Sequence, residues 1–173
     1  MRPRIAIFEH NPECSQDCVD GMIESLHEDF DILIFDEDQF SAHTLAEADI
    51  VAFPGGLGNV DEYYSFFKRQ QANIIADFVA RGGKYLGICM GAYWAGRDYF
   101  DLLTNLDPVQ YITQQTADIR RSYPTTAKVN WMGTKQQMYF YDGCTFVGNG
   151  RCQTIARYAN DMPMAIIQGR VGL

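Results

Sequence analysis

Residues 82–96 read GGKYLGICMGAYWAG, and this stretch decides how the rest of the chain is interpreted. The glycine pair predicts the end of a helix, the apolar run after it predicts a buried strand, and Cys89 follows in a Gly-x-Cys-x-Gly frame. This layout is typical of a tight strand-to-helix turn that raises one side chain above the end of a parallel sheet. Glycine is expected at positions 87 and 91 because a Cβ there would crowd the neighbouring backbone.

The first half of the chain alternates short apolar runs with amphipathic segments. Helices are predicted between the runs, and the longest of them covers residues 61–80. This repeated β-α pattern is typical of a doubly wound, mostly parallel sheet with helices on both faces. Buried strands are predicted at 5–8, 31–35, 50–53 and 85–88.

The second half of the chain has shorter apolar runs that are separated by turn pairs such as Asp142-Gly143 and Asn149-Gly150. These pairs favour positive φ and are typical of hairpins. The pattern therefore predicts antiparallel strands added at one side of the sheet. The predicted strands cover 137–141, 145–147, 154–158 and 164–167, with a further strand around 109–112.

Composition and charge exclude several classes of protein. The net charge of −8 and the absence of a long basic run argue against a nucleic-acid partner. No apolar stretch is long enough for a membrane span, and the N-terminus lacks the apolar core of a signal peptide. An odd number of cysteines in such a chain favours a reduced, cytoplasmic protein. No metal is predicted, because Cys14 and Cys18 have no further Cys or His close by in sequence, and no cofactor is predicted either.

Two loops are expected to lie together at the carboxyl edge of the sheet. Residues 54–56 read PGG and end one strand, and Cys89 ends the next strand. If the two strands are neighbours, the amides of the glycine loop and of Met90 lie beside the sulfur and form an oxyanion hole. The helix that starts after Cys89 is expected to lower the pKa of its thiol and to make it the most reactive cysteine.

Residues 53–56, 82–83 and 85–93 resemble the class I glutamine amidotransferase-like superfamily, and most closely the family named for the N-terminal domain of biotin–protein ligases. The resemblance continues through residues 141–146 and 156–158. It implies one flavodoxin-like α/β domain over residues 1–173. It also implies that Cys89 is the nucleophile, with Gly56 and Met90 as oxyanion donors, and that the substrate is an amide or a related acyl compound.

The sequence departs from this superfamily in its histidines. The superfamily places its catalytic base in a late His-Pro-Glu segment, whereas His10, His27 and His43 all precede Cys89. The domain is therefore shortened, or its base lies in a missing tail, or another group replaces the base. Glu9 and His10 follow the first strand and are accessory candidates together with Gly55, although ordinary loop residues are the alternative. His27 and His43 are expected at the surface.

Three functions stay open at this stage. The first is a cysteine-dependent hydrolase or amidotransferase-like enzyme, which the Cys89 turn and the glycine loop favour. The second is an inactive relative that binds a small molecule or a partner protein, and the third is a thiol redox sensor. The absence of a histidine after Cys89 favours the latter two. The expected partner is a small molecule at the Cys89 rim, and residues 131–140 are a candidate protein-facing hairpin.

Overall fold

A parallel sheet forms the first half of the protein. The computed structural model describes residues 2–9, 15–56, 67 and 69–173. Four of its strands run parallel in the order β2-β1-β3-β4, and β3 and β4 are direct neighbours as predicted. Each strand is short and apolar, as expected for strands that are covered on both faces. These strands are β1 (Arg4–Phe8), β2 (Asp31–Phe35), β3 (Ile50–Phe53) and β4 (Lys84–Gly87).

Helices cover both faces of these strands. Ile5 and Ile7 of β1 pack with α1, whereas Ala6 and Phe8 point to the opposite core, which contains residues of the other three helices. This alternation confirms the predicted doubly wound arrangement. The helices are α1 (Gln16–Leu26), α2 (Ala42–Ala46), α3 (Arg69–Ala80) and α4 (Met90–Trp94). The predicted helix 61–80 is confirmed from Arg69 onward, and its earlier part, except Phe67, lies outside the described residues.

The second half extends the same sheet with antiparallel strands, as predicted. The full order is β2-β1-β3-β4-β11-β10-β9-β6-β7, and the pairs β10–β9, β9–β6 and β6–β7 are antiparallel. The α/β fold with added antiparallel strands is therefore confirmed. The added strands are β6 (Thr125–Trp131), β7 (Thr134–Phe140), β9 (Gln153–Tyr158), β10 (Pro163–Gln168) and β11 (Val171–Gly172).

Several features of this half differ from the prediction, which contained neither β6 nor β11. The strand predicted at 145–147 is β8 (Cys144–Gly148), and it pairs with β5 (Leu106–Gln110) in a separate two-stranded sheet. The strand predicted around 109–112 ends at Gln110, because Tyr111–Thr113 form a 3-10 turn. The short strand β11 runs parallel to β4 and joins the two halves of the large sheet. Within the described residues, no helix combines the length and apolar character that crossing a bilayer requires.

Candidate active site

Cys89 occupies a strained turn between β4 and α4. Its φ is 52° and its ψ is −106°, a conformation that a residue with a Cβ adopts only at a cost of roughly 1–3 kcal/mol. The backbone continues directly into helix, since the Ala92 N–H donates to the Cys89 carbonyl at 2.9 Å. The strained backbone predicted for Cys89 is confirmed.

Glycine on either side allows this turn to close. A Cβ at Gly87 would lie 2.5 Å from the Gly91 carbonyl oxygen, and a Cβ at Gly91 would lie 2.2 Å from the Phe53 carbonyl oxygen. Both distances are far below contact distance, so the predicted steric role of the two glycines is confirmed. The buried Tyr85 hydroxyl donates to the Gly91 carbonyl at 2.6 Å and fixes the turn from the core side.

The glycine loop after β3 lies directly against Cys89. A Cβ at Gly55 would be 3.3 Å from the Cys89 Cβ and 3.7 Å from the Cys18 Sγ. The Gly55 N–H donates to the Cys18 Sγ at 3.2 Å, and the Gly55 carbonyl accepts from the Ser15 N–H at 3.1 Å. The loop and Cys89 are therefore adjacent, as expected, and the first turn of α1 adds a second cysteine to the same place.

The ionisation of Cys89 corrects the expectation of a lowered pKa. Burial raises the pKa of the Cys89 thiol to about 11, and the hydrogen bond from the Met90 N–H opposes this only in part. Negative charge on Cys18 and Asp142 raises the pKa of Cys89 further. Desolvation of the buried thiolate is the largest of these effects, so the expected lowering of the pKa at the start of α4 does not occur.

Asp142 and Tyr93 are site residues that the sequence analysis missed. Asp142 lies between β7 and β8 at a positive φ of 50°, and its Oδ2 accepts from the Gln110 Nε2 at 2.9 Å. Tyr93 lies on α4 one turn after Cys89, and burial raises the pKa of its hydroxyl. The Asp-Gly pair signalled only a turn, and no sequence pattern places that turn near Cys89.

The remaining candidates lie elsewhere or outside the described residues. Glu9 directly follows β1, and its N–H donates to the Phe35 carbonyl at 2.9 Å, so it lies at the carboxyl edge as predicted. His10 is outside the described residues, as is Cys14. His27 and His43 are exposed, as expected. Among the described residues, no three Cys, His, Asp or Glu side chains gather closely enough to hold a metal ion.

Comparison with known proteins identifies the family of this chain. The family model described as "Biotin-protein ligase, N terminal" matches residues 9–102, which is more than half of the chain. The matched part contains β2 to β4, the glycine loop and the Cys89 turn. No curated protein matches the sequence.

Solved structures of glutamine amidotransferases share the fold. PurLQS from Thermotoga maritima superposes with a TM-score of 0.72 at 16% identity, covering 99% of this chain and 85% of that chain. A glutamine amidotransferase from Thermotoga maritima gives a TM-score of 0.69 at 13% identity, covering 99% of this chain and 74% of that chain. A glutamine amido transferase from Methylobacillus flagellatus gives 0.53 at 14% identity, covering 96% and 66%. Identities this low establish the shared fold alone.

Proposed function

We propose that this chain, which belongs to the family of the N-terminal domain of biotin–protein ligases, is a cysteine-dependent amidase or amidotransferase-like domain. Its substrate is an amide or a related acyl compound. The observation that carries the proposal is Cys89 at positive φ, with the Gly55 loop against its Cβ and the Met90 N–H on its sulfur. We interpret this turn as a nucleophile elbow.

Each group has a role in this mechanism. The Cys89 sulfur attacks the carbonyl carbon of the substrate, and the carbonyl oxygen becomes an oxyanion. The N–H groups of Gly56 and Met90 stabilise that oxyanion, and the N–H of Gly55 already donates to Cys18. When the intermediate collapses, the amine leaves with a proton and a thioester on Cys89 remains. Water or an acceptor amine then removes the acyl group.

Proton transfer is the difficult step for this chain. A thiol with a pKa of about 11 is almost entirely protonated at neutral pH, so its proton must leave as the sulfur attacks. No histidine follows Cys89 in the sequence to accept this proton. We therefore expect acyl transfer from an active ester to be much faster than from an amide, because p-nitrophenolate leaves without being protonated.

Acylation by p-nitrophenyl acetate tests the proposal. We expect a burst of p-nitrophenol and an acetyl group on Cys89, located by peptide mass mapping, and both disappear in Cys89→Ser. Cys152→Ser is the matched control, since Cys152 is also a half-buried free thiol and lies outside the turn. Acetylation of other cysteines with Cys89 unmodified would contradict the proposal and favour a binding module. Release of ammonia from simple amides then measures amide turnover.

A thiol redox sensor is the second candidate, and the position of Cys18 favours it. The Gly55 N–H donates to the Cys18 Sγ, and a Cβ at Gly55 would lie 3.3 Å from the Cys89 Cβ, so the two cysteines flank the same glycine. A peroxide would oxidise the Cys89 thiol to a sulfenic acid and leave as water. The Cys18 thiol would then attack that sulfur, forming the disulfide and releasing a second water.

Peptide mapping without reductant after hydrogen peroxide treatment separates the two candidates. A redox sensor yields a linked Cys18–Cys89 peptide pair that dithiothreitol releases, and Cys18→Ser prevents the link. Oxidation of Cys89 without any link to Cys18 would rule out this candidate.

A further inference from the structure

The strands β6, β7 and β9 form the far end of the large sheet, and only one of their faces packs on a core. Ala127 and Val129 of β6 are buried on that face, whereas the residues that alternate with them are exposed. The opposite face of the three strands is therefore open to solvent. We call it the bare face, and the residues that define it are Lys128, Asn130, Lys135, Tyr139 and Arg157.

The bare face carries three positive charges. Asn130 pairs with Lys135 on one side and with Arg157 on the other, and Lys128 points the same way two residues earlier on β6. None of the three strands contains an Asp or a Glu. None of the three cations forms an ion pair within the described part of the chain. The protein itself therefore does not neutralise this charge.

The rest of the sequence is acidic, and helix α1 is acidic on its solvent side. Residues 1–118 contain 20 Asp and Glu against 7 Lys and Arg, whereas residues 119–173 contain 2 against 7. In α1, Asp17, Asp20 and Glu24 are exposed, and the helix has no Lys or Arg. Their spacings of three and four residues place the three carboxylates on one face of the helix.

The spacing of the carboxylates matches that of the cations. Lys135 and Arg157 are separated by two strand spacings, which is about 10 Å. Asp17 and Glu24 are separated by two helical turns, which is also about 10 Å. A helix α1 that lies across the strands can therefore place Glu24 against Lys135 and Asp17 against Arg157.

Within one molecule these two surfaces cannot meet. Helix α1 is fixed on β1 and β3, where Val19 and Met22 pack with Ile5, Ile7 and Ala52. Four other strands separate β3 from β6 in the sheet. The contact therefore requires two molecules.

We infer that the bare face binds helix α1 of a second copy of this chain. Asp20 then faces Lys128, which lies on the strand between Lys135 and Arg157. Tyr139 is 74% exposed and adds apolar contact area beside the charges. This association is independent of the chemistry proposed at Cys89.

Sedimentation velocity on the wild type is the first test. We expect association that increases with protein concentration, with a dissociation constant at least about tenfold higher at about 500 mM NaCl than at about 50 mM, because salt screens exposed charges. A wild type that stays monomeric at low salt would overturn the inference. Binding of polyglutamate or of an oligonucleotide to that monomer would then assign the bare face to a different partner.

Charge reversal identifies the two surfaces. The face variant, Lys128→Glu with Lys135→Glu, places negative charge opposite α1. The helix variant, Asp20→Lys with Glu24→Lys, places positive charge opposite the bare face. We expect each variant alone to associate at least about tenfold more weakly than the wild type. A mixture of the two variants should associate again, and so should one chain with all four substitutions, because each acidic surface then meets a basic one.

Arg81→Glu with Lys84→Glu is the matched control, since it makes the same charge change as the face variant at exposed positions outside the bare face. This control should associate like the wild type. Circular dichroism verifies that each variant is folded, and the salt dependence of the wild type tests the inference even where a variant is not. Association that persists in both the face and the helix variant would overturn the inference, as would a mixture of the two folded variants that stays monomeric.

Discussion

The Cys89 side chain is subject to two opposing influences. The Met90 N–H favours its thiolate, whereas burial and the charges of Cys18 and Asp142 favour its thiol. The thiol form prevails at neutral pH, so the nucleophilic attack that we propose requires a group that accepts the thiol proton.

Alkylation of Cys89 should therefore depend steeply on pH. With a pKa of about 11, the rate of labelling by iodoacetamide should rise about tenfold per pH unit from pH 7 to pH 10. Asp142→Asn should increase the rate at pH 8, because it removes a negative charge that disfavours the thiolate. Mass-resolved labelling measures both effects. A rate that levels off near pH 8 would show that the thiolate is stabilised after all.

The Tyr158 hydroxyl should contribute measurably to stability. It donates to the Cys144 carbonyl at 2.7 Å in the core, and its ring stacks on Tyr111 at 3.7 Å. Tyr158→Phe keeps the stacking but leaves the carbonyl without this donor. We expect the free energy of unfolding to fall by about 1–2 kcal/mol in urea titrations. Tyr139→Phe is the control, since Tyr139 is 74% exposed, and an equal loss there would contradict the assignment.

At the residue scale, the sequence predicts what depends on local geometry and misses what depends on distant contacts. The strain at Cys89 and the need for glycine at 87 and 91 follow from a few consecutive residues. The influence of Asp142 on Cys89 depends on how β7 and β8 place the turn between them. Cys18 lies near Cys89 because α1 packs on the glycine loop. The desolvation that raises the pKa of Cys89 likewise depends on the complete core around it.

Among the elements, the β4–α4 connection tolerates the least change. Gly91→Ala would place a Cβ 2.2 Å from the Phe53 carbonyl oxygen, and that backbone belongs to the neighbouring strand β3. We expect this substitution to lower the free energy of unfolding by roughly 2–4 kcal/mol or to prevent folding. Chemical denaturation followed by circular dichroism measures the effect.

The matched control lies in α1. A Cβ at Gly21 would meet no atom within 4 Å, so Gly21→Ala should stabilise the protein by about 0.5–1 kcal/mol through its helix propensity. If Gly91→Ala were tolerated as well as Gly21→Ala, the close packing of the turn on β3 would be refuted.

Prediction of the elements succeeded where burial and periodicity agree. After a charged first residue in three of them, the four parallel strands are apolar, and the β-α alternation predicts that they lie in one parallel sheet. The pairing of β8 with β5 was missed, because the choice between two sheets depends on which face of Cys144–Gly148 meets the core. The two residues of β11 were missed because so short a strand carries no periodicity.

Across the whole molecule, buried thiols and phenols should make stability fall in alkali. Burial raises the pKa of Cys89, Cys144, Tyr85, Tyr93 and Tyr158. In the unfolded chain, the pKa is about 8.5 for a cysteine thiol and about 10 for a tyrosine hydroxyl. The folded state therefore holds more protons than the unfolded state above about pH 8.5, and its stability decreases as pH rises.

Urea midpoints at pH 7, 8.5 and 10 measure this effect. We expect the midpoint to change little between the first two and to fall between the last two, because the unfolded state ionises first. Cys144→Ala should reduce the fall, since it removes one buried thiol. A midpoint that rises between pH 8.5 and pH 10 would contradict the prediction.

The position of β11 also determines when the large sheet can be completed during synthesis of the protein. Tyr85 pairs with Val171, so the two halves of the large sheet are joined by a strand that lies far later in the sequence than β4. Within that sheet, the strands before and after this junction share no other direct pairing. On a ribosome, β1 to β4 emerge early and then expose the edge of β4 until Val171 has left the exit tunnel. From the synthesis of β4 until Val171 emerges, a nascent chain therefore carries an unpaired strand edge, which favours self-association.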